Sequence, residues 1–230
     1  MCNRYSLSNL KALRDLLARL GVSTPEEART RFNLPLTTRA PVVTRKAGKT
    51  ALEAHSFGAS LPPREPGGRP LLLGNARAET LTQRRAFKDA VRHRRCLVPA
   101  DGFFEWERLG RARQPHYFHL RSREAFFFAG LWRPESPVAP SSFVIVTTAP
   151  NALLAAIHDR MPVILDREAS EAWLGDQPLP EPRVAELCRP FPAALMASHR
   201  VDPAMNDART DGPACIAPWT PPLAEPTLFD

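Results

Sequence analysis

Between Arg95 and Thr148 the chain carries five strand candidates in succession, at 95–98, 102–107, 116–120, 125–131 and 142–148. Hairpin-like breaks fall at Gly110 and between Pro134 and Pro140. Strands joined by short breaks pair antiparallel, because a parallel pair needs a crossover of about a dozen residues. Such a cluster disfavours a doubly wound sheet, in which strands alternate with long helices. The other elements read as short. Residues 9–20 form an amphipathic helix pattern, with Leu10, Leu13, Leu16, Leu17 and Leu20 on one stripe, Ser8 as N-cap and Gly21 as stop. Short helices are expected at 83–93, with Phe87, Ala90 and Val91 inward, at 151–157, and at 168–174, with Trp173 inward. Val42-Val43 begins a strand, Leu71–Leu73 reads as a buried strand, and 161–165 and 194–201 are further strands. Segment 21–41 reads as loop, and the proline- and glycine-rich stretch 58–70 as a surface loop. The expectation is an α+β fold: one domain over residues 1–212, with a β-rich, barrel-like antiparallel core flanked by short helices. A loosely held, proline-rich tail is expected over 213–230.

At 230 residues, with 43% hydrophobic and 24% charged, the chain can bury one substantial core and is not of disordered composition. No apolar run of about 18 residues is present, which argues against a membrane-spanning helix. The first residues lack the apolar stretch of a secretory signal. The four cysteines, Cys2, Cys96, Cys188 and Cys215, show no CxxC spacing. Neither a glycine-rich phosphate loop nor HExxH occurs. A cytoplasmic protein without metal or nucleotide cofactor is expected, monomeric by default. Charge is uneven: residues 1–100 carry 19 Lys/Arg against 7 Asp/Glu, and residues 101–230 carry 12 against 17. Most of the cations are arginine, whose fork suits phosphate oxygens. A basic half raises nucleic acid as a partner, with an arginine-rich solvated surface as the alternative.

Cys2 carries the most chemical information. Removal of Met1 would place a thiol and an α-amine on adjacent carbons. With a reference pKa near 8, the amine is partly neutral at pH 7. It can attack an aldehyde to give an imine, on which the thiol closes a five-membered thiazolidine. Alternatively the same residue can act as an N-terminal nucleophile on amides, or be an ordinary cysteine at a frayed end. Arg4 can anchor a phosphate or favour the thiolate. Asn75 and Arg77 follow the 71–73 strand and share a face if the chain stays extended; the alternative is a turn at Gly74-Asn75. Glu105 lies among Phe103, Phe104 and Trp106, where burial would raise its pKa into general acid–base range; the alternative is a salt-bridged edge residue. His158 sits at the end of a short helix beside Arg160, as a proton shuttle next to a phosphate anchor or as a structural histidine.

Taken together, the blocks Met1-Cys2 with Arg4-Tyr5, Asn75–Thr80, Arg95–Trp106, Ala129–Trp132 and His158–Pro162 occur in the order found in the SRAP family. That is the SOS-response-associated peptidase family, whose eukaryotic members are HMCES-type abasic-site shields, and the sequence resembles it from residue 1 to about 165. The resemblance implies a β-rich domain with a basic groove for single-stranded DNA. It implies capture of abasic sites as a thiazolidine DNA–protein crosslink, with lyase-type imine chemistry and autopeptidase activity, and association with the nucleoid when bound to DNA. By position, Cys2 would supply amine and thiol, Asn75 would position Cys2 and the sugar, Glu105 would be acid and base, and His158 would shuttle protons. Arg4, Arg77 and Arg160 would bind phosphates, and Trp106 would stack on a base. The chain departs from the pattern at Asn3, where glycine is usual. It departs again at Phe57-Gly58-Ala59-Ser60-Leu61-Pro62, where the family has Trp-Gly-Leu-Ile-Pro. Phe57 would then stack on a base more weakly than tryptophan. Two competing functions share these residues: an N-terminal-nucleophile thiol peptidase, and a non-covalent single-strand DNA binder.

Overall fold

All five strands expected between 95 and 148 form, and they build two different sheets. The computed structural model describes residues 2–221 apart from 27, 62–64 and 66. Met1, much of the proline-rich 62–66 stretch and the last nine residues of the expected tail lie outside the described residues. In chain order come β1 (Arg4–Leu7), α1 (Leu10–Ala18), β2 (Arg31–Pro35), β3 (Arg39–Lys46), β4 (Lys49–Phe57), β5 (Ala59–Leu61), β6 (Leu71–Leu73) and β7 (Asn75–Arg77). Next are α2 (Lys88–His93), β8 (Arg95–Ala100), β9 (Gly102–Leu109), β10 (Ala112–Leu120), β11 (Phe126–Arg133) and β12 (Ser142–Thr148). The chain continues through α3 (Ala152–Ala155), β13 (Met161–Pro162), β14 (Ile164–Leu165), α4 (Arg167–Leu174), α5 (Glu181–Leu187) and β15 (Met196–Arg200).

Strands β12, β4, β3, β8 and β11 form a closed ring, because β11 also pairs with β12. Closure covers the inner face of the ring; β8 and β12 are covered on the outer face as well and are buried along their whole length, whereas β3 and β4 keep exposed positions. The fold is α+β with mostly antiparallel pairing. β12 pairs in parallel with β4 and with β7. The second sheet, β15-β10-β9-β1-β2, is antiparallel throughout. Its aromatics interlock with the ring: Tyr5 and Phe103 pack edge-on against Phe128 at 6.1 and 5.9 Å between centroids.

Besides β5, which forms within the stretch 58–70 expected as a surface loop, three local expectations change. The cap of α1 is Asn9, whose side chain accepts from the Ala12 N–H. Ser8 instead donates its N–H and hydroxyl to Asp101 at 2.6 and 2.9 Å. Leu71 and Leu72 are 42% and 41% exposed, because β6 pairs only with β5, in a two-stranded sheet outside the ring. The 21–41 segment is not all loop, since β2 forms within it against β1.

Asp101 ties the start of α1 to the β8–β9 junction. Its carboxylate accepts from the hydroxyls of Ser6 and Ser8 and from the N–H groups of Ser8 and Asn9. An amide in its place would keep one oxygen for the Ser8 and Asn9 donors, turn a donor toward the Ser6 hydroxyl, and remove the charge that strengthens all four contacts. Asp101→Asn is therefore expected to cost about 3 kcal/mol, read as a lower urea midpoint with unchanged slope. At its neighbour Gly102 a Cβ would run into the Tyr117 ring, so a side chain there would displace the second sheet.

Described residues beyond β15 pack on the second sheet. Met205 and Cys215 pack on Phe104, Tyr117 and Val201. The Trp219 N–H donates to the Arg200 carbonyl at 2.9 Å.

Candidate active site

β9 leaves the core partway along its length. Gly102–Glu105 are buried, Trp106 and Glu107 are half-buried, and Arg108 and Leu109 are exposed. This gradient sets Glu105 at the rim, 1% exposed, and β1 pairs alongside through Tyr5 and Phe103. The chain's beginning therefore meets Glu105. Cys2 is fully buried, with its thiol 3.7 Å from the Arg4 carbonyl. From β7, Asn75 Nδ2 donates to the Cys2 carbonyl at 2.9 Å. Asn75 Oδ1 is buried and, among the described residues, has no donor. Gly74 lets Asn3 come close: a Cβ on Gly74 would lie 2.6 Å from Asn3 Oδ1. Thus Asn3, the departure from the family's glycine, packs against the glycine that joins β6 to β7.

His158 follows α3, whose first turn is capped by Asn151. The Arg160 N–H donates to His158 Nδ1 at 3.0 Å. This bond requires a lone pair on Nδ1 and leaves the ring proton on Nε2, which faces Glu105 Oε2 at 3.9 Å. Asp159 Oδ1 is also 3.0 Å from Nδ1, but its side chain is 84% exposed and screened by water. Burial first, with the positive charge of Arg108 adding to it, holds the His158 pKa below its usual value, so the ring is neutral. Burial raises Glu105 to about 7, so at neutral pH it can both give and take a proton. Burial, followed by the Glu105 charge, pushes the Cys2 thiol strongly up and keeps it protonated.

The structure thus brings Cys2, Asn75, Glu105 and His158 together, and treats the other sequence candidates unequally. Arg77 ends β7 and is exposed. Arg160 is committed: its guanidinium forms a two-pronged ion pair with Glu79 and donates to the Thr147 carbonyl. Arg4 is committed too, to Asn33 Oδ1 at 2.9 Å and to the Met205 and Asn206 carbonyls at 3.1 Å. Trp106 borders the site, with its indole N–H on Asn206 Oδ1 at 2.6 Å. Phe57 faces inward, contrary to a base-stacking role. It is fully buried and stacked on Phe143 at 5.2 Å, because the parallel β4–β12 pairing sets the two side by side, and Tyr5 of the second sheet packs edge-on against it at 5.5 Å.

A cavity of about 520 Å³ opens over Glu105 and His158. Asn3, Arg4 and Trp106 line it, together with three residues that sequence reasoning missed: Arg108, Arg113 and Asn206. Strand alternation from Trp106 would have found Arg108. Folding the hairpin at Gly110 would have found Arg113 opposite it. Among the described residues, no group of three or more His, Cys, Asp or Glu is placed to hold a metal ion. No helix among them is long and apolar enough to cross a membrane.

A family model described as SOS response associated peptidase (SRAP) matches residues 1–208. The chain is 36% identical over 146 residues to the abasic site processing protein YoqW of Bacillus subtilis, a match covering 62% of this chain and 65% of that protein. It is 32% identical over 150 residues to the abasic site processing protein YedK of Escherichia coli, covering 64% and 67%. The crystal structure of a Bacteroides thetaiotaomicron protein shares the fold. Its TM-score is 0.75 at 23% identity, over 95% of this chain and all of that one.

Proposed function

Because the chain belongs to the SOS response associated peptidase (SRAP) family, we propose that it processes abasic sites in single-stranded DNA by linking them covalently to Cys2. The observation that carries this reading is the convergence on Cys2 of Asn75 and a glutamate poised near neutrality, with the His158 Nε2–H facing that glutamate. Removal of Met1 frees the Cys2 α-amine. Glu105 takes the proton from the anomeric hydroxyl of the abasic sugar and returns one to the ring oxygen, so the ring opens to an aldehyde. The amine adds to this carbonyl, and the resulting carbinolamine loses water with a proton from Glu105, giving an imine. The S–H then adds across C=N: sulfur bonds carbon and the proton ends on nitrogen. The net change is one sulfur–carbon and one nitrogen–carbon bond for one water released. Asn75 Oδ1 can accept from the new amine or from a sugar hydroxyl, and His158 relays protons between Glu105 and the sugar.

Burial and the Glu105 charge raise the Cys2 thiol, which favours a step that uses the intact S–H bond over attack by a standing thiolate. Thiazolidine closure consumes the S–H bond as a whole.

The test is a denaturing gel of the purified protein with a single-stranded oligonucleotide bearing one abasic site, alongside mass spectrometry of the N-terminal peptide. The expected result is a heat-stable shifted band that needs the abasic site, on a chain that begins at Cys2. No covalent band from a chain confirmed to begin at Cys2 would overturn the proposal.

A further inference from the structure

Arg108 and Arg113 stand directly opposite one another on β9 and β10. Directly opposed residues project from the same face of a hairpin, so the two guanidinium groups share one space. Both residues are exposed, and both line the cavity that contains Glu105 and His158. Like charges in this position destabilise a strand pair. Among the described residues, neither arginine has a carboxylate partner. The turn between them, Leu109-Gly110-Arg111-Ala112, adds a third arginine and no acid. Other arginines near the site are treated differently. Arg160 is paired with Glu79, Arg200 with Glu107, and Arg4 is spent on Asn33 and two carbonyls. Trp106 lies two residues before Arg108 on the same face, and Asn206 fixes its indole edge.

We propose that Arg108 and Arg113 form a shared cradle for one backbone phosphate of the DNA strand, beside the nucleotide whose base lies on Trp106. An anion between the two guanidinium groups turns their repulsion into two forked, charge-assisted contacts. The cradle would fix the strand next to the lesion and leave the abasic sugar over Glu105. It rests on the DNA reading given above, but not on the covalent step.

Salt dependence of binding tests it, because each phosphate neutralised on a single strand contributes about 0.7 to the slope of log K against log salt. The probe is a fluorescent single-stranded oligonucleotide without an abasic site, followed by anisotropy from 50 to 300 mM salt, values chosen as roughly the range where such slopes are read. The Arg108→Gln/Arg113→Gln pair variant is expected to lose about 0.7 from the slope and about five-fold in affinity at 0.1 M salt. Each single variant should show most of that loss. Arg200→Gln, which touches Glu107 and not the cavity, should behave as wild type. An unchanged slope in the pair variant overturns the cradle. So does an additive loss of twice that size, which would mean two separate phosphates. Adduct formation on abasic oligonucleotide is scored separately. A chain that binds with the expected slopes but never crosslinks overturns the covalent reading and leaves the cradle standing.

Discussion

A Cys2→Ser chain is expected to give no heat-stable adduct with abasic DNA, with a yield below one-hundredth of wild type. The loss follows from the last chemical step. A serine chain processed to residue 2 still offers an α-amine with a reference pKa near 8, so the imine still forms. An imine is reversible in water, and the ring that makes it permanent needs sulfur on the neighbouring carbon. Borohydride during incubation should therefore restore a covalent band in the serine chain by reducing the imine to an amine. That rescue separates a missing ring closure from a misfolded site. The Asn75 Nδ2 bond is accepted by the backbone carbonyl of residue 2 and survives the substitution. Noncovalent affinity for undamaged single strands should be unchanged. A serine chain that yields wild-type adduct without borohydride would show that the link does not run through the thiol.

Glu105→Gln is expected to slow adduct formation by a factor of about 10² to 10⁴, the range for removal of a positioned acid–base group, while making the protein more stable above neutral pH. Burial lifts the Glu105 pKa from 4.5 to about 7. Between those values the folded chain holds a proton that the unfolded chain releases. Wild-type stability therefore falls as pH rises through that window and levels off above 7. At about 1.4 kcal/mol per pH unit, the penalty reaches about 3 kcal/mol by pH 8. Glutamine carries no charge and escapes it. Denaturant melts should show the variant more stable by roughly this amount at pH 8, and the advantage should vanish near pH 4.5. The rate profile should lose its limb near pH 7 in the same variant. Equal stability at both pH values would mean that Glu105 is not held against its own ionisation, and the acid–base assignment would lose its support.

The candidate residues were legible in the sequence where a residue type suggests chemistry by itself: Cys2 after Met1, a glutamate among aromatics and a histidine at a helix end. The fold places them near one another. What sequence reading missed depends on register. Arg113 enters the cavity only because the Gly110 turn sets it across from Arg108. Asn206 reaches Trp106 across 100 positions, a separation that leaves no local trace. Phe57 was misjudged for a related reason. Its segment stands where the family has Trp-Gly-Leu-Ile-Pro and departs from that motif, but the pairing of β4 with β12 sets Phe57 beside Phe143 and buries it. Likewise, β2 carries too short and mixed a pattern to announce itself beside Pro35 and takes its shape from β1.

Arg4 bonds to the carbonyls of Met205 and Asn206, 201 and 202 positions along the chain, and Asn33 ties the same turn through Met205 and Thr210. During synthesis, then, Arg4 leaves the ribosome about 200 residues before the turn that anchors it. Cys2 therefore emerges long before the residues that hold Arg4 and Trp106 exist, so the two sides of the candidate site are assembled at separate times. Contacts of such long span also delay folding. Interrupted translation short of about residue 205 should release chains that carry the cysteine but lack the Asn206 support for Trp106.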